Sequence, residues 1–300
     1  MSAVLGIGGV TLDRIGFVPR MPGWDEVEYI ARLDIRQGGM VATAMMAAAR
    51  LGGDAGYMGG IGDDMEGRLV IDALRRGGVR ADRVKVFPGG LTPQSFVLVH
   101  DATGERTIMH HRGVQEKSSL EAGDINLDGV GYLHLDGYWF DTALSAAREA
   151  KRKGIIVTID PSSSLTRERA EVLFPQADYI IPSKKFARRY TGEDDVREAA
   201  WKLLKYGCRG VILTMGGEGC LVATPGGGEH VPAFRVGVVD TTGAGDVFHG
   251  AFIMALDAGK PLVDAAIFSS AVAALKCTRQ GGQAGLPSLD EAEDFLAARS

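Results

Sequence analysis

The chain is poor in the features that mark several classes of protein. Its 300 residues include only three cysteines, Cys208, Cys220 and Cys277, odd in number, widely spaced and in no CxxC pair. Neither a disulfide framework nor a zinc site is indicated, and the three thiols read as small core hydrophobes in a reducing compartment. A basic surplus is also missing. Lys and Arg number 33 against 38 Asp and Glu, for a formal net charge of -5, whereas general nucleic-acid binders carry excess positive charge to neutralise phosphates. No uncharged apolar run approaches the roughly 20 residues of a membrane span, and Met1 leads straight into "AVLGIG" with no signal-peptide pattern. The expectation is a cytoplasmic protein that engages neither nucleic acid nor membrane.

Familiar catalytic signatures are absent as well. There is no GxxxxGK[ST] and no GxGxxG, so a P-loop ATPase and a dinucleotide-binding Rossmann domain both lack their phosphate loops. Without GxSxG or HExxH, a serine hydrolase and a zinc peptidase are disfavoured too. Internal repeats, low-complexity tracts and long linkers are not found.

Glycine, by contrast, is abundant at 42 residues, against a usual share of about 7%. Much of it falls in clusters such as "QGGM", "LGGDAGYMGGIGDD", "MGGEG" and "GAG". Any one of these reads as a turn or a helix end; their joint pattern carries more. Short apolar runs at Val4–Ile7, Tyr132–Leu135, Ile155–Ile159, Tyr179–Ile181 and Val211–Thr214 have the character of buried strands. Between and after them, Thr142–Arg152, Val196–Tyr206, Val247–Leu256 and Asp264–Lys276 show helical spacing of apolar residues. This alternation predicts an α/β fold with a mostly parallel central sheet flanked by helices. Residues 12–37 and 91–113 break the rhythm, and "SFVLVHDATGERTIMHH" predicts two strands around a turn at Asp101–Gly104. A small β-sheet lid built from both insertions, on one domain spanning 1–300, is the economical arrangement.

The stretch "VVDTTGAGDVFHGAFIMAL" concentrates the chemistry. It predicts a turn between an apolar strand and a helix. Its glycines let backbone amides converge on one point, to which the following helix adds its positive end, and the result is an anion cradle. Asp246 lies in the first turn of that helix, where a carboxylate can take a proton from a hydroxyl attacking phosphorus. An Asp at a helix start is also a common electrostatic cap, and local sequence alone leaves both readings open.

Asp240-Thr241-Thr242-Gly243-Ala244-Gly245-Asp246, followed by Phe248 and Gly250, resembles the C-terminal signature of the ribokinase-like (PfkB) carbohydrate kinases. The stretch from Gln37 to Asp64 is similar to that family's N-terminal pattern. The resemblance covers nearly the whole chain and implies a ribokinase-like fold and ATP-dependent transfer of a phosphoryl group to a sugar hydroxyl. It implies Asp246 as the base, with Gly243, Ala244 and Gly245 as amide donors to the transferred group. It places Asp13, Gly38 and Gly39 at the sugar, although Asp13 read locally also fits a simple turn. Thr43 stands where many relatives have Asn. For the nucleotide, "LTMGGEG" is similar to the family's TxGxxG, so Thr214, Gly216 and Gly219 would border ATP; read locally, it is an ordinary strand-to-strand turn. The resemblance further implies a monovalent cation such as K+ held by backbone carbonyls of Asp240, Thr242 and Gly281.

One departure is plain. The family's Asn-x-x-Glu, which organises Mg2+ and phosphates, is replaced by Ser183-Lys184-Lys185-Phe186. Lys184 is therefore a candidate for direct contact with ATP phosphates, or else one of two exposed lysines on a solvated face. Alternation through "RTIMHHR" puts His110 and Arg112 on one face of a lid strand. There Arg112 can pair with an anionic substrate group or with a lid acid. The C-terminal wording is most similar to the sulfofructose-kinase branch, but His110, Tyr138 and Glu28 stand where that branch places its sulfonate contacts. A different sugar or sugar acid is expected. A nucleoside kinase and a non-catalytic sugar or nucleotide sensor are the alternatives, and an apolar lid face predicts a homodimer through the lid.

Overall fold

The computed structural model describes residues 2–117, 119–120, 125–161, 165–279 and 285–299. The first half of the chain gives β1 (Ala3–Ile7), β2 (Thr11–Val18), β3 (Arg32–Gly38), α1 (Met40–Arg50), β4 (Ala55–Gly62), α2 (Met65–Arg76), β5 (Arg80–Phe87), β6 (Gln94–His100), β7 (Arg106–His111), β8 (Val130–Leu135) and α3 (Phe140–Lys153). The second half gives β9 (Ile156–Ile159), α4 (Arg167–Leu173), β10 (Tyr179–Ile180), α5 (Lys184–Thr191), α6 (Val196–Leu204), β11 (Gly210–Thr214), β12 (Cys220–Thr224), β13 (Gly227–Val231), α7 (Ala244–Asp257), α8 (Leu262–Cys277) and α9 (Leu289–Ala297).

Nine strands form one sheet in the order β13-β12-β11-β10-β9-β8-β1-β4-β5. Its pairings are parallel from β5 across to β11, and only the β11-β12 and β12-β13 pairings are antiparallel. Strands buried on both faces read as continuous apolar runs, which is why β1, β8, β9 and β11 stand out in the sequence. One core cluster packs α1, α7 and α8 against the sheet through residues such as Met45, Phe252 and Val272; another packs α3 to α6 through Ala146, Phe174 and Leu203.

The remaining four strands make a separate sheet, β3-β2-β6-β7. Its register decides what faces what. Asp13 is opposite both Arg36 and Ser95, and Ser95 is opposite His110. Cross-strand neighbours share a face, so Asp13, Ser95, Arg36 and His110 stand together. The adjacent row, Ile35, Arg14, Phe96 and Met109, occupies the opposite face.

The small sheet is fastened to the large one partly through Asp64. Its carboxylate caps α2 by accepting from the Gly67 amide at 2.8 Å. It also accepts from the Thr92 amide at 2.7 Å and the Thr92 hydroxyl at 2.5 Å. Asp64→Ala should cost roughly 1–2 kcal/mol, the usual loss for a helix cap, and a urea titration will measure it.

One local expectation is corrected. No strand leads directly into the DTTGAGD loop, since β13 ends at Val231. Residues 232–239 run outside either sheet, and Val238 and Val239 are exposed. Their apolar character suggested a strand, but the amides of Val239 and Asp240 instead donate to the Cys277 carbonyl at 2.8 and 3.1 Å, at the end of α8.

Candidate active site

Two cavities meet at the N-terminus of α7. The first, about 410 Å3, is bordered by Asp13, His110, Arg112, Gln115, Tyr138 and Asp246, with Gly39 and Met40 at the start of α1. The second, about 330 Å3, is bordered by Thr214, Gly216 and Gly219, by Phe234, Val236 and Val238 of the extended segment, and by Ala244 and Gly245. Asp246 thus faces one space while the two residues before it face the other. A larger surface basin of about 1420 Å3 beside α3 shares no lining residue with either.

The helix start between the cavities depends on Gly243, whose φ of 74° caps α7 in the left-handed region that disfavours side chains. The Ala244 amide closes this turn on the Thr241 carbonyl at 3.2 Å. It is therefore spent on the turn, and the amides that follow lie at the positive end of the helix. Arg106 of β7 reaches the same loop, its guanidinium donating to the Thr242 hydroxyl at 3.4 Å. Sequence reasoning missed Arg106, because nothing in "GERTIM" marks an arginine that will cross from the small sheet.

Asp246 borders its cavity in a field of like charge. Burial pushes its carboxyl well above the ordinary range, Asp160, Asp136 and Asp13 push it further, and Lys276 opposes them. Asp136 and Asp160 are themselves raised to about 7 by burial. Asp136 has a constructive role. It accepts from the Gly9 amide at 2.7 Å and the Tyr138 amide at 2.9 Å, tying the turn after β1 to the turn after β8. That second turn holds Trp139 at a φ of 54°, stacked on Phe87, and brings Tyr138 to the cavity wall. His249 of α7 and His134 of β8 are both buried, and burial pulls His249 down to about 3.

Asp13 is seated by small neighbours. Its carboxylate accepts from the Thr11 hydroxyl at 2.6 Å, and a Cβ on Gly38 would lie 2.1 Å from Asp13 Oδ2. Glycine at 38 is therefore a steric requirement of the carboxylate's position. Burial pushes the Asp13 carboxyl up, while bonds from Thr11 and Ser95 and the charge of His110 pull it back. Burial lowers His110 below the usual imidazole value.

Of the residues singled out from sequence, Asp13, Gly39, His110, Arg112 and Asp246 come together around the first cavity. Thr214, Gly216, Gly219, Ala244 and Gly245 come together around the second. Thr43 lies buried within α1, its amide donating to Gly39, and borders neither. Lys184 also borders neither, since its ammonium pairs with Glu218 at 3.0 Å on an exposed surface. Glu28 pairs with Arg20 at 2.8 Å. Gly281 lies outside the described residues. Among the described residues no group of three or more His, Cys, Asp or Glu could hold a metal ion. No helix among them is long and apolar enough to cross a membrane.

A mostly parallel sheet flanked by helices thus carries a glycine loop and a helix start between two cavities. Residues 1–289 match the family model described as pfkB family carbohydrate kinase. The chain is 32% identical to fructokinase-1 of Zea mays, covering 95% of this chain and 94% of that one. It is 31% identical to the ATP-dependent ribose-1-phosphate kinase of Halopiger xanaduensis, covering 100% of this chain and 99% of that one. The ribokinase of Thermotoga maritima has a similar structure, with a TM-score of 0.86 at 28% identity over 99% of this chain and 100% of that one. This chain belongs to the pfkB family of carbohydrate kinases.

Proposed function

We propose that the protein transfers the γ-phosphoryl group of ATP to a hydroxyl of a sugar or sugar derivative, with Asp246 as general base. The observation that carries this reading is the meeting of two cavities at one helix start, Asp246 on one side and Ala244-Gly245 on the other. The acceptor occupies the cavity between Asp13 and Asp246, and the nucleotide occupies the more apolar one beside Thr214 and Gly219. The acceptor hydroxyl gives its proton to an Asp246 carboxylate oxygen as its own oxygen attacks phosphorus. The helix start and Arg106 stabilise the charge that builds on the phosphoryl oxygens. No cluster of described side chains is set to hold Mg2+; the ion would arrive with the nucleotide and would supply charge screening for its phosphates.

Arg112 and His110, which border the same cavity as Asp246, suit an acceptor with a negative substituent, and the name of the Halopiger relative describes a sugar phosphate as acceptor. We further propose that the small sheet acts as a lid that excludes water from the transfer. Its outer face exposes Leu33, Ile35, Phe96 and Met109, which supports a homodimer; light scattering should give twice the 31.8 kDa chain mass. A coupled assay of ADP release across sugars, sugar acids, sugar phosphates and nucleosides tests the whole reading. Turnover is expected with a sugar-class acceptor. Activity confined to nucleosides would replace that acceptor, and ligand binding without any turnover would leave a sensor.

A further inference from the structure

The geometry points to Lys276 as an internal cation: its ammonium occupies the place beside Asp240 where the family resemblance implies a monovalent metal ion, and the protein needs no potassium. Lys276 ends α8 as a completely buried side chain, a setting in which lysine survives only when its charge is matched. Its Nζ donates to the Asp240 carbonyl at 2.8 Å and lies 3.9 Å from the Asp240 Oδ1. That carbonyl is one of the three oxygens the resemblance offered to the cation. Another, Thr242, belongs to a residue whose amide donates to Asp240 Oδ1 at 2.8 Å, and the third, Gly281, lies outside the described residues.

Among the described residues, the surroundings of the Asp240 carbonyl therefore do not fit a resident K+. An ammonium is a compact point charge with three donors, and a second cation within about 4 Å of it would meet strong repulsion in a buried setting. The charges of Arg36 and Arg106, from the small sheet, also reach Lys276 and add to the positive field. Meanwhile the Val239 and Asp240 amides donate to the neighbouring Cys277 carbonyl. The end of α8 thus grips the entry to DTTGAGD from both directions, donating through Lys276 and accepting through Cys277. Lys276 is a positioning residue: it fixes the loop that opens α7 and opposes the raised pKa of Asp246 by its charge.

The test compares KCl with tetramethylammonium chloride at equal ionic strength, reading the melting temperature without nucleotide and the Kd for ATP. The consequence for ATP rests on the kinase reading above, whereas that for melting does not. Wild-type protein should give the same melting temperature and Kd in both salts. Lys276→Ala, which opens the space, should bind ATP about tenfold more weakly in tetramethylammonium, and KCl or NH4Cl should restore both binding and melting temperature. Lys276→Met, which fills the space without charge, should lose the same affinity and not be rescued. A K+-specific rise in wild-type melting temperature would overturn the inference even if ATP bound to no variant or a variant failed to fold. Wild-type affinity in Lys276→Ala without K+ would overturn it equally.

Discussion

Asp246→Asn is expected to lower kcat by about 100- to 10,000-fold, the range a positioned general base supplies, with the Kd for ATP nearly unchanged. Asn keeps the size of the side chain and the helix start, but it cannot accept the hydroxyl proton. Because the defect is confined to the transition state, kcat and kcat/KM for the acceptor should fall together. The wild-type pH profile is the companion measurement. Burial and three neighbouring aspartates raise the Asp246 pKa, and a base works only when ionised. Activity should therefore decline as pH falls through a value well above the ordinary carboxylate range, and the Asn variant should lose that limb. Near-normal turnover in Asp246→Asn, at unchanged ATP affinity, would remove the assigned base.

Asp13→Ala is expected to cut kcat/KM for the acceptor by about 100-fold. Hydrogen bonds to a charged group contribute roughly 1.5–3 kcal/mol each. Losing two hydroxyl contacts therefore costs roughly 3 kcal/mol, about two factors of ten. Unlike the Asp246 variant, this one should act mainly through the KM of the acceptor and leave ATP binding intact. Gly38→Ala should give a milder version of the same phenotype, because its methyl group would displace the Asp13 carboxylate without removing it. Initial-rate kinetics with varied acceptor distinguish the two; an unchanged acceptor KM in both would take Asp13 out of the sugar site.

Much of the architecture can be read from the residues because buried parallel strands are continuous apolar runs and the helices on them keep a 3.6-residue period. That logic reaches β1, β8, β9 and β11, and it reaches α7 and α8 as well. It stops at β4. "AGYMGGIG" looks like a turn cluster, yet all eight of its residues are buried in a strand. The ring of Trp139 packs so closely on Gly60 that a Cβ there would lie 2.5 Å from it. Glycine there admits a neighbour, which no local pattern can announce. Residues 232–239 fail in the opposite sense, apolar without being a strand, because they border a cavity.

Site legibility divides along the same line. Asp246 and its glycines are contiguous, so the helix start they share shows in one stretch. Asp13 and His110 become neighbours only through a register that runs from β2 through β6 to β7. Lys276 reads in sequence as one charge at the end of a helical pattern, and its meaning depends on the carbonyl it reaches 36 residues away.

The two cavities draw on the chain unequally. The cavity at Asp246 takes Asp13, Ser95 and His110 from the small sheet, while none of the residues bordering the other cavity belongs to that sheet. With the acceptor and the nucleotide placed as proposed, acceptor choice and donor choice can therefore drift independently. A chimera carrying the four small-sheet strands of another family member should inherit much of that member's taste in acceptors and keep its own nucleotide.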